Sequence, residues 1–140
     1  MTQEHKELLI KDLCARLPYF IKVQIKNEIV VLDSICDDDG YHFNFIGDDR
    51  EGVNIEQIKP YLFPLSSMTE EQWNNAPRVN LTNFTFESLA CGCFTLASYT
   101  CENNLHDLVE FINWLIKNHF DYRGLIPMGL ANDATGLNIY

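Results

Sequence analysis

The residues best suited to chemistry in this chain are three cysteines and a histidine, Cys91, Cys93, Cys101 and His106. Thiolates and an imidazole are the usual ligands of a tetrahedral zinc ion. Structural zinc sites normally offer two ligand pairs, with two to four residues between the members of each pair. Here a single glycine separates one cysteine pair, and the other two residues stand alone. The spacing disfavours zinc, so we expect no metal, and whether the four side chains meet in space stays open.

A second candidate is the acidic run Asp37–Gly40, which has the composition of a calcium loop. With Gly40 at the sixth loop position, the first and twelfth positions fall on Ile35 and Ile46, where calcium needs oxygen ligands. An Asp-Gly pair instead supplies the backbone angles of a tight hairpin turn. The run therefore predicts a solvated turn.

Other catalytic chemistry lacks a signature. The four histidines and several Ser and Cys residues match no nucleophile motif, and the seven glycines form no phosphate-binding loop. We therefore expect a protein that is not an enzyme and that uses no cofactor.

Charge narrows the function classes further. The chain has 20 Asp and Glu against 10 Lys and Arg, and the basic residues never form a run. A net charge of -10 disfavours direct binding to nucleic acid or to anionic membranes. Binding to another protein is the leading hypothesis, and the candidate partner-binding surface is acidic: Asp37, Asp38, Asp39, Asp48 and Asp49.

The alternative function is an acidic inhibitor that mimics nucleic acid and blocks a host defence enzyme. It uses the same five acids together with Asp33 and Glu51, all expected at one end of a strand meander. Duplex phosphates are spread over tens of Å, at one charge per ~1.7 Å of axis, which sets the spacing that such a mimic must reach.

Compartment follows from what the sequence lacks. No apolar stretch is long enough to cross a bilayer, and the N-terminus has no signal-peptide pattern. We expect a cytoplasmic protein whose five cysteines are reduced, several of them buried.

The sequence predicts a helix near each end of the chain. Thr2 is a predicted N-cap of a helix with an apolar stripe, formed by Leu9, Ile10, Leu13, Cys14 and Leu17, and the helix ends before Pro18. A second helix is predicted from about 105 to 120, by apolar residues at i, i+3, i+4 and i+7.

Between these helices the sequence alternates as strands do. Predicted strands cover 19–25, 28–35 and 41–45, with a fourth short strand at 52–55. A helical turn follows within 55–62, and a Ser67-x-x-Glu70 capping box predicts a helix from Met68 to about Asn75. Residues 79–100 are expected to form two more strands of unknown order and register, and the apolar segment Leu81–Tyr99 is a candidate homodimer interface.

The predicted fold is therefore α+β. It is an antiparallel sheet of four to six strands packed against the N-terminal and C-terminal helices, in a single domain over residues 1–140.

Three segments are distinctive as strings and together resemble a known family. That family comprises small uncharacterised proteins from bacteriophages, prophages and mobile elements of gut Bacteroides-type bacteria. The segments cover about a third of the chain: 1–19 (MTQEHKELLIKDLCARLPY), 58–71 (IKPYLFPLSSMTEE) and 118–131 (NHFDYRGLIPMGLA). The resemblance implies a phage accessory protein in the bacterial cytoplasm, and it implies no catalytic residue because the family has no assigned activity.

Overall fold

The computed structural model of the chain describes residues 1–77 and 105–140. It has an α+β fold with a five-stranded sheet and helices near both ends, which confirms the predicted fold class. The helices are α1 (Gln3–Arg16), α2 (Glu70–Asn75) and α3 (Leu105–Lys117). The strands are β1 (Lys22–Ile25), β2 (Glu28–Asp37), β3 (Tyr41–Phe45), β4 (Ile58–Leu62) and β5 (Asn132–Asp133).

Two compact units make up the chain. The first combines Met1–Leu62 with Arg123–Tyr140, and the second is Phe63–Tyr122. Each unit has its own cluster of buried apolar residues. The expectation of one domain over residues 1–140 stays a prediction.

Helix α1 begins at the predicted cap, where the Thr2 hydroxyl accepts a hydrogen bond from the His5 amide. Its buried face carries Leu9 and Leu13, which pack into the core of the first unit together with the sheet. The predicted stripe is wrong at Cys14, which is exposed. Ile10 is buried in the same core, and the other two buried positions of the helix are the charged residues Asp12 and Arg16, described with the site below.

Strands β1, β2 and β3 form the predicted antiparallel meander. Register pairs Ile25 with Glu28 across the first turn and Asp37 with Tyr41 across the second. In β1 the pattern of burial alternates, so Val23 and Ile25 face the core while Lys22 and Gln24 do not. A register shift near Asp33 interrupts the pairing of β2 with β3.

The fourth predicted strand is wrong. Residues 52–54 form no strand, and Ile55–Gln57 is a short 3-10 turn capped by the Asn54 side chain. The strand is instead β4, which pairs antiparallel with β1 and then parallel with the short β5. Because Pro60 has no amide hydrogen, the sequence predicted a helical turn that breaks at this residue. In the structure Pro60 is part of β4, opposite Val23 of β1. The sheet order is β3-β2-β1-β4-β5, which is mixed rather than wholly antiparallel.

In the second unit, the described residues build around an aromatic cluster. Phe111 and Leu115 of α3 pack with Met68 and Phe120, and Trp114 stacks on Phe120 at 5.7 Å between ring centroids. Helix α2 is capped by Thr69 and Gln72, two residues later than the predicted Ser67–Glu70 box.

Helix α3 ends earlier than expected because His119 takes a left-handed conformation (φ 60°). The Phe120 amide then bonds the Leu115 carbonyl, and the His119 amide bonds the Ile116 carbonyl, as in a Schellman motif. Gly124 also has positive φ, but it lies beyond this helix end. The predicted strands at 79–100 lie outside the described residues.

Candidate functional site

The tip of the β2–β3 hairpin carries three consecutive acids. Asp37 ends β2, and Asp38 and Asp39 form the turn with Gly40; all three acids are exposed. Asp39 and Gly40 have positive φ (56° and 120°), which agrees with the tight turn that the Asp-Gly pair predicts. The described basic residues form no ion pair with any of these carboxylates.

The tip is held in shape by the strands that end in it. The β2–β3 pairing continues up to Asp37 and Tyr41, and the His42 ring Nε2 donates to the Asp38 carbonyl oxygen at 2.9 Å. Farther down the hairpin, the Asn44 amide donates to the Ser34 hydroxyl across the two strands. These contacts join the two strands up to the turn, so the three consecutive carboxylates lie together at the tip of the hairpin.

A cleft of about 420 Å³ lies beside this tip. Its wall includes Tyr41 and His42 on one side and the N-terminal turns of α1, including Glu7, on the other. Tyr41 is 43% exposed, so an aromatic ring is accessible next to the acids. The tip and this cleft together form the acidic hairpin surface.

Asp48 and Asp49 occur in a different environment. Asp48 accepts two hydrogen bonds from Arg50, from its Nε at 2.8 Å and from its backbone amide at 3.0 Å. Arg50 also contacts Glu28 at 2.6 Å, and the pKa of its guanidinium is raised by these hydrogen bonds. The hydrogen bonds from the Arg50 side chain and backbone lower the pKa of Asp48. We call Arg50 with its two acidic partners, Asp48 and Glu28, the Arg50 clamp. Asp49, the residue between Asp48 and Arg50, is exposed.

The expectation that the acids gather at one end of the meander is therefore wrong. Asp37 ends β2, whereas Asp48 is joined through Arg50 to Glu28, the first residue of β2. Nine residue steps separate those ends, about 30 Å along the strand at roughly 3.3 Å per residue. Asp33 is exposed between them. The two groups of acids are separated because they lie at opposite ends of the ten-residue strand β2.

The metal candidates divide between described and undescribed residues. Cys91, Cys93 and Cys101 lie outside the described residues, and His106 is exposed on the first turn of α3. Over residues 1–77 and 105–140, no three His, Cys, Asp or Glu side chains are placed to hold a metal ion together.

The two described cysteines, Cys14 and Cys36, are exposed free thiols, and the expectation that several of the five cysteines are buried stays a prediction for the other three. Desolvation of the partly covered Cys14 thiol raises its pKa, which disfavours the thiolate that a nucleophile needs.

A buried ionic cluster was missed from the sequence. Asp12 and Arg16 are both fully buried on α1, with Arg16 Nε 2.7 Å and Nη2 3.2 Å from the two carboxylate oxygens. Arg123 Nε lies 3.3 Å from Asp12 Oδ1. The available signal was the i, i+4 spacing of Asp12 and Arg16 on the same face as Leu9 and Leu13.

Tyr140 is a second group that the sequence did not reveal. Its hydroxyl accepts from the Lys22 amide at 3.1 Å and donates to the Tyr61 carbonyl at 2.8 Å, so it bridges β1 and β4. The Lys22 ammonium bonds the Ile139 carbonyl and lies 5.6 Å from the centre of the Tyr140 ring. Although 43% of the residue is exposed, burial of its phenol raises the pKa of Tyr140.

Helices long and apolar enough to cross a bilayer are absent from the part of the chain that the structure describes. We compared the chain with protein-family models, with curated proteins and with solved structures, and none of the three comparisons found a match.

Proposed function

We propose that this chain is a non-enzymatic accessory protein of a phage or mobile element, and that it binds a basic segment of another protein through the acidic hairpin surface. The phage context and the bacterial cytoplasm are supported by the resemblance of residues 1–19, 58–71 and 118–131 to proteins of such elements. The non-enzymatic part is supported by the lack of a catalytic signature in the sequence.

One observation carries the choice of surface. Asp37, Asp38 and Asp39 are exposed and form no ion pair with a described residue, although the strand pairing holds them together. Three like charges at one tip repel one another, and lysine or arginine side chains of a partner relieve that repulsion. The adjacent cleft and the exposed Tyr41 ring add the kind of contact that dominates interface energies.

The test is recovery of a partner by tagged protein under gentle conditions, followed by direct titration of the recovered partner. The triple variant D37N/D38N/D39N removes the tip charges. The matched control E70Q/E71Q/E110Q removes the same number of charges from exposed positions on α2 and α3. We expect the control to bind like the natural chain and the tip variant to lose binding. The affinity of the natural chain for the partner should fall as the salt concentration rises.

Equal loss in both variants would show that overall charge, rather than the hairpin tip, drives binding. Recovery of no partner, together with turnover of a metabolite, would end the proposal.

Nucleic-acid mimicry is retained as a second candidate because of the spread of acids along β2. Asp33, the tip acids and the Arg50 clamp extend over about 30 Å of strand, a length comparable to one turn of a duplex. The charge density is far below that of a duplex, and Arg50 already pairs with Asp48.

Competition separates the two functions. A mimic loses its partner to added duplex DNA or RNA, and changing Asp33 and Asp49 to Asn weakens it as much as changing the tip acids. Binding that is insensitive to competing nucleic acid would exclude mimicry.

Homodimerisation through Leu81–Tyr99 also stays a prediction. We expect a mass twice that of the chain in sedimentation at high concentration, and a monomeric mass at every concentration would exclude it.

A further inference from the structure

The basic residues are scattered in the sequence, but the sheet brings two of them to one place. On the outer face of β1 and β4, Gln24 pairs in register with Lys59, and Lys26 follows two positions after Gln24. A cleft of about 350 Å³ lies there, and we call it the β1–β4 cleft. Its lining residues are Gln24, Lys26, Glu56, Gln57, Lys59 and Asn132.

The charge in this cleft is positive despite the acidic composition of the chain. Lys26 and Lys59 are exposed, and neither forms an ion pair with a carboxylate of the described residues. The acid in the lining, Glu56, is paired with the Lys6 ammonium at 2.8 Å. Lys6 is not part of the cleft lining, so this ion pair offsets the charge of Glu56 from outside the cleft, and the same hydrogen bond lowers the pKa of Glu56.

The amide side chains add hydrogen-bond donors to that charge. The Gln57 Oε1 atom accepts the Asn54 backbone amide at 2.9 Å, and the Gln24 Oε1 atom accepts from the Asn132 Nδ2 atom at 2.6 Å. These bonds hold the two glutamine amide groups in place, and the groups of the glutamines that can donate to a ligand are their two NH₂ groups. Two ammonium groups and two amide donors thus meet in one small cleft.

We propose that the β1–β4 cleft binds a small oxyanion that carries at least two negative charges and several acceptor oxygens. Lysine ammonium and amide NH₂ groups are the donors that phosphate and carboxylate oxygens accept from. The volume lies at the low end for ligand sites, and every residue of the lining has a polar or charged side chain. Phosphate esters and polycarboxylates share this chemistry. A long nucleic acid does not fit, because the chain has a net charge of -10.

The test is a titration of the full chain with sodium pyrophosphate and, separately, with sodium citrate, each against sodium chloride at matched ionic strength. Side-chain amide signals of Gln24, Gln57 and Asn132 are followed by NMR. We expect saturable shifts confined to these residues and their neighbours. Lys26→Gln and Lys59→Gln should each weaken the affinity about tenfold, because each removes one charged hydrogen bond.

Lys11→Gln is the matched control, since Lys11 is an exposed residue of α1 outside the cleft lining and the substitution removes the same charge. It should leave the affinity unchanged. Saturation by pyrophosphate alone assigns a phosphate ligand, and saturation by citrate alone assigns a polycarboxylate. Shifts that never saturate with either probe overturn the proposal. A Lys11→Gln variant that weakens binding as much as Lys59→Gln also overturns it, because binding would then follow overall charge.

Discussion

Two clusters of charged residues in the first unit have nearly the same contacts and opposite surroundings. In one, Arg16 lies 2.7 Å from the Asp12 carboxylate, and both side chains are fully buried. In the other, Arg50 lies 2.6 Å from Glu28 and also pairs with Asp48, with Glu28 two-thirds exposed. The distances alone do not separate them.

Desolvation separates these clusters in energy. Water screens the Arg50 clamp, so the attraction there is weak and sensitive to salt. The Asp12–Arg16 pair has lost its water, and loss of Arg16 would leave the buried Asp12 carboxylate with the longer contact to Arg123 in place of its bidentate partner. The two clusters therefore have similar ion-pair distances but different effects on stability. The buried pair in α1 is required for the fold, whereas the surface contacts of Arg50 near β2 contribute little. The four predictions below test this difference, from the largest expected effect to the smallest.

Arg16→Met should destabilise the protein most. It leaves the buried Asp12 carboxylate without its bidentate partner, and breaking such pairs costs about 3–5 kcal/mol. Urea denaturation of the variant and the natural chain measures the difference. The double variant Asp12→Leu/Arg16→Met removes both charges and should recover much of the loss. A single variant as stable as the natural chain would show that burial does not separate the two clusters.

Tyr140→Phe should cost about 1 kcal/mol, because it removes the hydroxyl that joins β1 to β4 through two main-chain hydrogen bonds. It should also change the pH dependence of stability. The folded state raises the pKa of Tyr140 above its usual value of 10.0. The unfolded chain therefore releases this proton first, so the stabilisation is complete below pH 10 and declines as pH rises above it.

Denaturation at several alkaline pH values measures this effect. The natural chain should lose stability more steeply than Tyr140→Phe, and the other tyrosines serve as an internal control because both proteins contain them. Parallel curves would contradict the bridge.

Arg50→Gln should change stability less than Tyr140→Phe, and the change should vanish in high salt, since the clamp is at the surface. The variant should also raise the pKa of Asp48, because the hydrogen bonds and charge of Arg50 now lower it. NMR titration of the Asp48 carboxyl measures that shift. A large loss of stability that persists in high salt would place this clamp with the buried pair.

D37N/D38N/D39N should have the smallest effect on stability. These acids form no ion pair with a described residue, so their neutralisation removes only mutual repulsion. We expect an unfolding midpoint equal to that of the natural chain or slightly higher. The same variant is expected to lose partner binding, so an intact fold would separate the binding effect from misfolding.

Local rules predicted most of the first half of the chain. Thr2 caps α1, and β3 runs over the predicted residues Tyr41–Phe45, because capping, alternation and an Asp-Gly turn act within a few residues. The prediction failed at β4, where Pro60 suggested a broken helix. Pairing with β1 made that segment a strand, and this pairing joins residues far apart in the sequence.

The candidate sites divide in the same way. The acidic tip was predicted, since its three carboxylates are consecutive and its turn is local. The separation of Asp48 from that tip was not, because it depends on the length of β2 and on the contact of Arg50 with Glu28. The β1–β4 cleft was also not predicted, since Gln24 and Lys59 meet only through the strand register.

Helix α1 shows what the sequence determined and what it left to the tertiary structure. The sequence determines two acid–base spacings of i, i+4 there, Glu7 with Lys11 and Asp12 with Arg16, as well as the net charge of the whole chain. The first two residues are exposed, and the second two are fully buried. Only the tertiary structure decides this, because the sheet and Arg123 cover one face of the helix. The strength of a charge interaction depends on the water that surrounding groups remove, and those groups come from distant parts of the chain.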